Sequence, residues 1–240
     1  MKRPLRVAGI ALAVLLLAAS SALWNVAFRA PPLNRLPLPA ELIALDSTRG
    51  QDFLAEATFT ADYAGLARSL ESQSRAAYCG VASGVTVLNT LQSEPRVTQA
   101  SFFTDEASKV RSSLQVTFAG MTLGQLAGLL RAHHLQVNEV YAADTTVEAF
   151  RAVAEQNLAT AGDLMLVNYQ RAALGQKEGG HISPIAAYDA TTDRLLILDV
   201  ATYKYPPVWV TTADLWKALT EVDTSSGRSR GFVVVKPARH

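Results

Sequence analysis

Hydrophobic periodicity changes character along this chain near residue 160. Before that point apolar residues recur at helical spacing, so that Val81, Val85 and Leu88, for example, share one helix face. After it, short apolar or β-branched runs are separated by turn residues, as strands are. Helices followed by strands, rather than helices alternating with strands, indicate an α+β fold with an antiparallel sheet.

The same patterns predict individual elements. Thr122 is a typical N-cap, and Thr145 with Glu148 forms a capping box for a helix that ends near Leu158. Another helix is expected to start at or just after Cys79. The predicted helices are 63–72, 80–91, the one after Thr122, 145–158 and 212–219, and the predicted strands are 163–169, 181–188, 195–200, 208–211 and 231–236.

Length and charge limit the class of protein. With 240 residues, of which 49% are hydrophobic, the chain can form one sizeable domain with a full core. Its formal charge is +1, from 22 basic and 21 acidic residues. A nucleic-acid-binding surface normally needs a basic patch. We therefore expect a small or neutral substrate and no nucleic-acid partner.

The first thirty residues have the form of an export signal. Three basic residues precede an uncharged apolar run from Val7 to Phe28. Ser20 and Ala22 satisfy the small-x-small cleavage rule, yet the run also reaches the roughly 20 residues that span a bilayer. Residues 1–29 are predicted to be a signal peptide or an uncleaved membrane anchor. The rest would be periplasmic, or anchored to the inner membrane and facing the periplasm.

Prolines are concentrated directly after this segment, with four between residues 30 and 39. A proline-rich stretch without periodicity is typical of an extended linker. We therefore predict a tether over residues 30–50 and one folded domain over residues 51–240.

Cys79 is the single cysteine of the chain, so it cannot form an internal disulfide. A lone cysteine is most often an inert core residue, but an exposed thiol is a liability in an oxidising compartment unless it is used. Cys79 falls at a predicted helix N-terminus, where free N–H groups and the helix dipole favour the nucleophilic thiolate. Gly80 has no side chain, which leaves room beside the sulfur for a substrate carbonyl.

His181 and Asp199 are the predicted partners of Cys79. They lie on successive predicted strands joined by a turn at residues 190–193, and alternation places them on the same face and nearly opposite. His181 can then take the thiol proton while Asp199 accepts from the other ring nitrogen. An apolar run surrounds Asp199, so its carboxylate needs a partner. Gln73 can complete an oxyanion hole with the Cys79 backbone N–H.

Three segments resemble those of the phytochelatin synthase family. Residues 73–83, Gln-Ser-Arg-Ala-Ala-Tyr-Cys-Gly-Val-Ala-Ser, are similar to its nucleophile segment, residues 179–185 to its histidine segment and residues 198–209 to its aspartate segment. Their order and spacing also match, and the resemblance covers roughly residues 53–236. It implies a papain-like fold with a helical N-terminal half, an antiparallel β-sheet half and the active site between them.

The resemblance further implies a cysteine acyltransferase acting on glutathione. Cys79 would attack the Cys–Gly amide, release glycine and form a γ-glutamylcysteinyl thioester, which water or a second glutathione then resolves. By the same comparison Asn168, Arg230 and Gly180 contact the substrate, and the planar fork of Arg230 suits a carboxylate. The chain resembles the short bacterial form, which lacks the cysteine-rich second domain and in which hydrolysis tends to dominate.

No cofactor is required under this interpretation. A single cysteine and unclustered histidines at 133, 134 and 240 offer no evident metal site. Stimulation by Cd²⁺ or Zn²⁺ would come through metal–glutathione thiolates.

Two alternatives stay open. One is a papain-like processing peptidase, and the other is a non-catalytic glutathione- or peptide-binding protein on the membrane surface. The sequence also leaves open a homodimer, a membrane contact through an uncleaved N-terminal segment, and the ratio of hydrolysis to transfer.

Overall fold

The structure, a computed structural model, describes residues 15–18, 20–21, 24–25, 27–91 and 95–238. Most helices precede most strands along the chain, and the strand pairs in the described part are antiparallel. The predicted α+β fold is confirmed. The principal helices are α1 (Thr48–Glu56), α2 (Tyr63–Ser69), α3 (Cys79–Leu91), α4 (Asp105–Val110), α5 (Ser113–Ala119), α6 (Leu123–Ala132), α7 (Val147–Leu158) and α8 (Thr212–Thr220).

One large sheet organises the molecule. The strands are β1 (Ile43–Ala44), β2 (Gln136–Tyr141), β3 (Leu164–Gln170), β4 (Gly180–Asp189), β5 (Arg194–Ile197), β6 (Val208–Thr211), β7 (Val222–Asp223), β8 (Arg228–Ser229) and β9 (Gly231–Lys236). Seven of them form the sheet, in the order β1-β6-β5-β4-β3-β9-β2. Strands β7 and β8 form a separate two-stranded ribbon.

Both faces of the large sheet are buried. Along β3, Leu164 and Leu166 belong to one hydrophobic cluster, whereas Met165 and Val167 belong to a second cluster on the other face. Helices α3 and α6 contribute to the first cluster, and α7 and α8 to the second. Burial on two sides is the reason that β3 has a continuous apolar sequence instead of an alternating one.

Side-chain caps set the starts of the helices. Thr122 caps α6 as predicted, and Gln125 completes a capping box there. The predicted cap of α7 is off by one residue, because Thr146 rather than Thr145 accepts the Ala149 backbone N–H. Thr146 immediately precedes the first helical residue, from which its hydroxyl reaches the third N–H of the helix.

Residues 42–50, predicted to belong to the tether, are part of the fold. Strand β1 pairs with β6, and Leu42 beside it is buried. The Trp209 indole N–H donates to the Gly50 carbonyl oxygen at 3.0 Å. The domain therefore starts before residue 51, at least as early as β1.

Most of the segment predicted to be a signal or anchor, including Ala22, lies outside the described residues. Within the described part of the chain, no helix combines the length and apolar character needed to cross a bilayer. Near the end of the segment, the Phe28 ring meets the Phe118 ring edge to face, with centroids 5.8 Å apart. The Arg75 guanidinium lies 4.9 Å from the centroid of the same Phe28 ring. The interpretation of residues 1–29 stays a prediction.

Candidate active site

Cys79 is the first residue of α3, where the sequence analysis expects a helix to begin. Packing fixes this helix firmly, because Gly80 to Leu88 are all buried. One turn after Cys79, the Ser83 hydroxyl donates to the Ile182 carbonyl oxygen of β4 at 3.0 Å. This bond ties the helix that carries Cys79 to the strand that carries His181.

His181 and Asp199 are in direct contact and buried. His181 Nε2 lies 2.9 Å from Asp199 Oδ1. The route to this contact differs from the prediction, because Asp199 lies beyond the end of β5 at Ile197. A register shift between Ile185 and Ala187 also displaces the β4–β5 pairing. The two residues are therefore not opposite each other in a hairpin, and the loop after β5 brings the carboxylate to the imidazole.

Arg171 is a third charged residue of this cluster, and the sequence analysis did not identify it. It begins the short 3₁₀ helix that follows β3, and only 2% of it is exposed. Its Nη2 lies 2.8 Å from both carboxylate oxygens of Asp199. Its Nη1 donates to Gln176 Oε1 at 2.5 Å. The Asp199 carboxylate lies in an apolar run and therefore predicts a partner. His181 already meets that requirement, so the sequence gives no reason to look for a second partner.

Burial and charge set the protonation states of the cluster. Burial lowers the pKa of His181 to about 4, and the nearby Arg171 cation acts in the same direction. Burial alone would raise the pKa of Asp199, but the Arg171 cation and the His181 imidazole, which is charged at the low pH where the carboxylate titrates, hold it well below its usual range. At neutral pH the cluster therefore contains an ionised carboxylate and an uncharged imidazole.

The sequence favours a thiolate at Cys79, whereas the structure favours the protonated thiol. Burial of its surroundings raises its pKa, and the Ile182 N–H and the Arg171 charge offset this effect only in part. Desolvation thus outweighs the Ile182 and Gly80 N–H groups and the Arg171 charge together in the free protein. The resting pair is an uncharged thiol and an uncharged imidazole.

Gln73 lies in the wall of the cavity beside Cys79 and is buried. Its Nε2 donates to the carbonyl oxygens of Arg75, at 2.9 Å, and Ala76, at 2.7 Å. Both amide hydrogens are therefore engaged in the free protein. A donor role in an oxyanion hole requires Gln73 to release one of them, and this role stays a prediction.

One cavity of about 360 Å³ contains Cys79, Gln73 and His181 together with Asn168 and Arg230. Arg230 Nη1 donates to Asn168 Oδ1 at 2.8 Å. Arg230 Nε and Asn168 Nδ2 are buried and donate to no acceptor in the described part of the chain. A cation with an unused donor of its own, beside one unused amide donor, makes this part of the cavity well suited to a carboxylate.

The two glycines of the predicted site have different roles. A Cβ on Gly180 would come within 2.6 Å of Arg230 Nη1, so a missing side chain allows the guanidinium to lie there. A Cβ on Gly80 would overlap the Met121 sulfur. The space beside Cys79 that was expected to admit substrate is therefore filled by Met121, which also lines the cavity.

Three further charged residues line the cavity and were not identified from the sequence: Glu178, Lys204 and Asp223. Asp223 ends β7 and is buried, and its Oδ1 accepts the Ser225 backbone N–H at 3.0 Å. The sequence signal was weak, because a charged residue beside a turn is usually solvated. Only the fold shows that the β7–β8 ribbon borders the cavity.

In the part of the chain that the structure describes, no group of three or more His, Cys, Asp or Glu side chains is arranged to hold a metal ion. His133 is engaged otherwise, since its Nε2 lies 2.8 Å from the Phe102 carbonyl oxygen and its ring stacks on the Phe102 ring.

Known proteins similar to this chain include several glutathione gamma-glutamylcysteinyltransferases. Glutathione gamma-glutamylcysteinyltransferase 3 of Lotus japonicus is 33% identical over 207 residues, which are 83% of this chain and 43% of that protein. Glutathione gamma-glutamylcysteinyltransferase 1 of Arabidopsis thaliana is 32% identical, over 85% of this chain and 44% of its own. The Schizosaccharomyces pombe enzyme of that name is 28% identical, over 83% of this chain and 50% of its own length. This chain thus spans half or less of the length of these relatives.

Solved structures similar to this fold include two bacterial proteins. The Pseudomonas avirulence protein AvrPphB aligns with a TM-score of 0.31 at 12% identity, over 71% of this chain and 97% of its own. Xylellain, a cysteine protease from Xylella fastidiosa, aligns with a TM-score of 0.41 at 11% identity, over 88% of this chain and 98% of its own.

The model of the phytochelatin synthase family matches residues 33–232, a range that includes every site residue described above. The chain belongs to the phytochelatin synthase family.

Proposed function

We propose that this protein is a glutathione γ-glutamylcysteinyl transferase and hydrolase, with Cys79 as its nucleophile. The observation that carries the proposal is the content of one cavity. Cys79 and His181 share that cavity with Arg230, a buried cation that forms no salt bridge with any described carboxylate. A thiol, a base and a carboxylate-binding cation are what an acyl donor with a free carboxylate requires.

Acylation begins with proton transfer from Cys79 to His181. Nε2 of the imidazole faces Asp199, so Nδ1 is the nitrogen that receives the thiol proton. The sulfur attacks the carbonyl carbon of the cysteine residue of glutathione. Backbone N–H groups in the first turn of α3, which have no partners within the helix, stabilise the oxyanion. The C–N bond then breaks, the His181 proton passes to the amine of glycine, and a γ-glutamylcysteinyl thioester is left on Cys79.

Deacylation uses the same base on a new nucleophile. His181 takes a proton from water, whose oxygen attacks the thioester, and γ-glutamylcysteine leaves as the Cys79 sulfur is protonated again. If the α-amine of a second glutathione attacks instead, the product is a phytochelatin with one more γ-glutamylcysteine unit. The two outcomes differ only in the nucleophile, so access of a second glutathione to the thioester sets their ratio.

Charge complementarity supports recognition of the γ-glutamyl end. This end presents a free α-carboxylate and an α-amine. Arg230, with Asn168 beside it, offers unused donors to the carboxylate. The Asp223 carboxylate, which lines the same cavity, offers an acceptor to the amine. We assign these three side chains to the two charged groups.

The direct test is to incubate the purified protein with glutathione and to analyse the products by mass spectrometry. We expect release of glycine and a γ-glutamylcysteinyl adduct on Cys79 in the parent protein. Cys79→Ala should abolish both. Glycine release by purified Cys79→Ala at the parental rate would refute the assignment of the nucleophile.

A matched substrate separates this function from a peptidase of related fold. The isomer α-Glu-Cys-Gly has the same atoms as glutathione but a normal peptide bond at its first residue. If Arg230 and Asp223 recognise the γ-glutamyl end, the kcat/KM for glutathione should exceed that for the isomer by tenfold or more. Equal values would favour the peptidase.

The cellular location and the role of metal ions belong to the same proposal. We propose that the domain is exported, because a basic start, an apolar run and a proline-rich stretch precede it. An alkaline phosphatase fusion at residue 50 should be active in a bacterial host. Activity restricted to a cytoplasmic reporter would contradict export.

No cofactor is proposed, and Cd²⁺ or Zn²⁺ would act as glutathione thiolates.

A further inference from the structure

Arg171 is a buried cation in the candidate active site, and the mechanism above gives it no step. Its Nη2 lies 2.8 Å from both oxygens of Asp199. Asp199 is 0% exposed and accepts from His181 on the same Oδ1. One buried carboxylate thus bridges a permanent cation and the base proposed to act on Cys79.

Three neighbours fix the orientation of the guanidinium. Gln176 Oε1 accepts from Nη1. The aromatic rings of Tyr169 and Tyr205 lie 5.8 Å and 5.1 Å from its central carbon. A planar group that lies against two rings and donates through two nitrogens to two different side chains, Gln176 and Asp199, cannot be replaced by the point charge of a lysine without loss of contacts. The surroundings are therefore specific for arginine.

We propose that Arg171 is a positioning residue, which orients Asp199 and thereby keeps His181 in the neutral, correctly directed form that accepts the Cys79 proton. The inference rests on the proposed assignment of Cys79, His181 and Asp199, but it does not depend on glutathione being the substrate. Without Arg171, Asp199 would have a protonated His181 as its alternative charge partner, and a protonated imidazole cannot act as a base.

The charges around the thiol and the imidazole decide the direction of the expected effect. Arg171 favours loss of a proton from both Cys79 and His181, so its removal raises both pKa values. Asp199 acts in the opposite direction on both groups. The titratable and charged groups that face the pair are Arg171, Asp199, Tyr169, Tyr203, Lys204 and Arg230.

The test is the pH profile of alkylation of Cys79 by iodoacetamide in the full protein. We expect Arg171→Met to move the profile upward by about one pH unit or more, because the Arg171 charge lowers the pKa of the Cys79 thiol. At neutral pH the alkylation rate should then fall about tenfold or more. Arg171→Lys retains the charge, so its profile should lie near that of the parent, but its kcat should fall with little change in KM because a lysine cannot keep the two directed contacts with Gln176 and Asp199.

Arg151→Met is the matched control. Arg151 forms a two-pronged ion pair with Asp193, with contacts of 3.0 Å and 2.9 Å, and neither residue lines the cavity. Loss of that pair can lower stability, but it should leave the alkylation profile unchanged. An unshifted profile in folded Arg171→Met would overturn the proposal. If that variant does not fold, Arg171→Lys decides, because a parental kcat in it would equally overturn the positioning role.

Failure of the proposed function gives a different result. If glutathione is not the substrate, no variant and not even the parent releases glycine from it. The shift in the alkylation profile would still be measurable, because iodoacetamide needs only the thiol.

Discussion

The charged residues of the candidate site differ in whether another side chain of the protein forms a salt bridge with them. Arg171 and Asp199 neutralise each other inside the domain. Arg230 is also buried, yet it forms no salt bridge with any carboxylate of the described residues and leaves its Nε without an acceptor. A buried charge without a partner is costly. Arg230 therefore marks the part of the site that a ligand's carboxylate would complete.

Gly180→Ala should disturb this part of the proposed substrate site without unfolding the protein. The new Cβ would come within 2.6 Å of Arg230 Nη1, the mobile end of a long side chain, so the guanidinium moves rather than the backbone. A charge-assisted contact is worth about 1.5–3 kcal/mol. The kcat/KM for glutathione should therefore fall roughly tenfold to a hundredfold.

Arg230→Met is the reference for this prediction, because it removes the same contact directly. Both variants should retain the parental rate of Cys79 alkylation. Parental kcat/KM in Gly180→Ala, together with a reduced value in Arg230→Met, would show that the guanidinium does not need the space above Gly180.

His181 should make stability depend on pH. Its pKa falls from 6.5 in the unfolded chain to about 4 in the fold, so the unfolded state binds a proton first as the pH decreases. Stability due to the neutral imidazole is thus fully present above pH 6.5 and is lost as the pH falls towards 4. Between pH 7 and pH 5 the loss is about 2 kcal/mol.

The measurement is the free energy of unfolding at pH 7 and at pH 5, for the parent and for His181→Gln. The parent should lose more stability than the variant over this interval, because glutamine does not titrate. Equal losses would mean that the imidazole is not held neutral in the fold.

The candidate site was predictable from the sequence where residue type and position carried a chemical signal. Cys79 was unique and preceded a helix, and Asp199 was a carboxylate within an apolar run. Arg171 had no such signal, because its partner lies 28 positions away and arginine after a strand is ordinarily solvated. The raised pKa of Cys79 had no sequence signal either, because the burial that causes it exists only in the fold.

The contact between α3 and β4 sets the distance between Cys79 and His181. Ser83 lies one helical turn after Cys79, and its hydroxyl donates to the carbonyl oxygen of Ile182, the residue next to His181. Both residues that this bond joins are buried. The geometry of the reacting pair therefore depends on a helix-to-strand hydrogen bond as well as on apolar packing.

Ser83→Ala should lower both stability and turnover. An unsatisfied buried carbonyl costs about 1–3 kcal/mol, and the freed helix start no longer holds Cys79 at a fixed distance from the imidazole. Thr90→Ala is the matched control, because the Thr90 hydroxyl donates at 2.7 Å to Thr86, a residue of the same helix. Chemical denaturation and steady-state kinetics check both variants.

The control should lose little stability and no activity. If Ser83→Ala and Thr90→Ala had the same unfolding free energy and the same kcat, the α3–β4 hydrogen bond would have no special role in the site.

Elements with a strong local period were predictable, and those defined by distant partners were not. Helices α3 and α6 and strand β9 have periodic or continuous apolar residues, and they occur where the sequence predicts them. Strand β1 has only two residues and exists because it pairs with Trp209 and Val208. The residues near β1 in the sequence do not indicate this pairing, so residues 30–50 have the sequence pattern of a linker.

For the whole molecule, β1 closes one edge of the seven-stranded sheet. It covers β6, whose Trp209 is fully buried, and the Phe53 ring of α1 packs edge to face on the same indole at 5.9 Å. Leu42 and Ile43 add two buried side chains to this edge. An exposed sheet edge invites pairing with other chains, so these residues protect the sheet as well as extend it.

Truncation tests where the domain begins. A chain that starts at residue 51 lacks β1 and the first turn of α1, and burial of Leu42 and Ile43 contributes about 3–6 kcal/mol, a large part of the 5–15 kcal/mol typical of a whole domain. It should therefore unfold at a clearly lower denaturant concentration, or aggregate through β6. A chain that starts at residue 30 keeps both elements and should unfold cooperatively and release glycine from glutathione at the rate of the longer protein. Equal midpoints for the two chains would place the start of the domain after β1 and restore residues 30–50 as a linker.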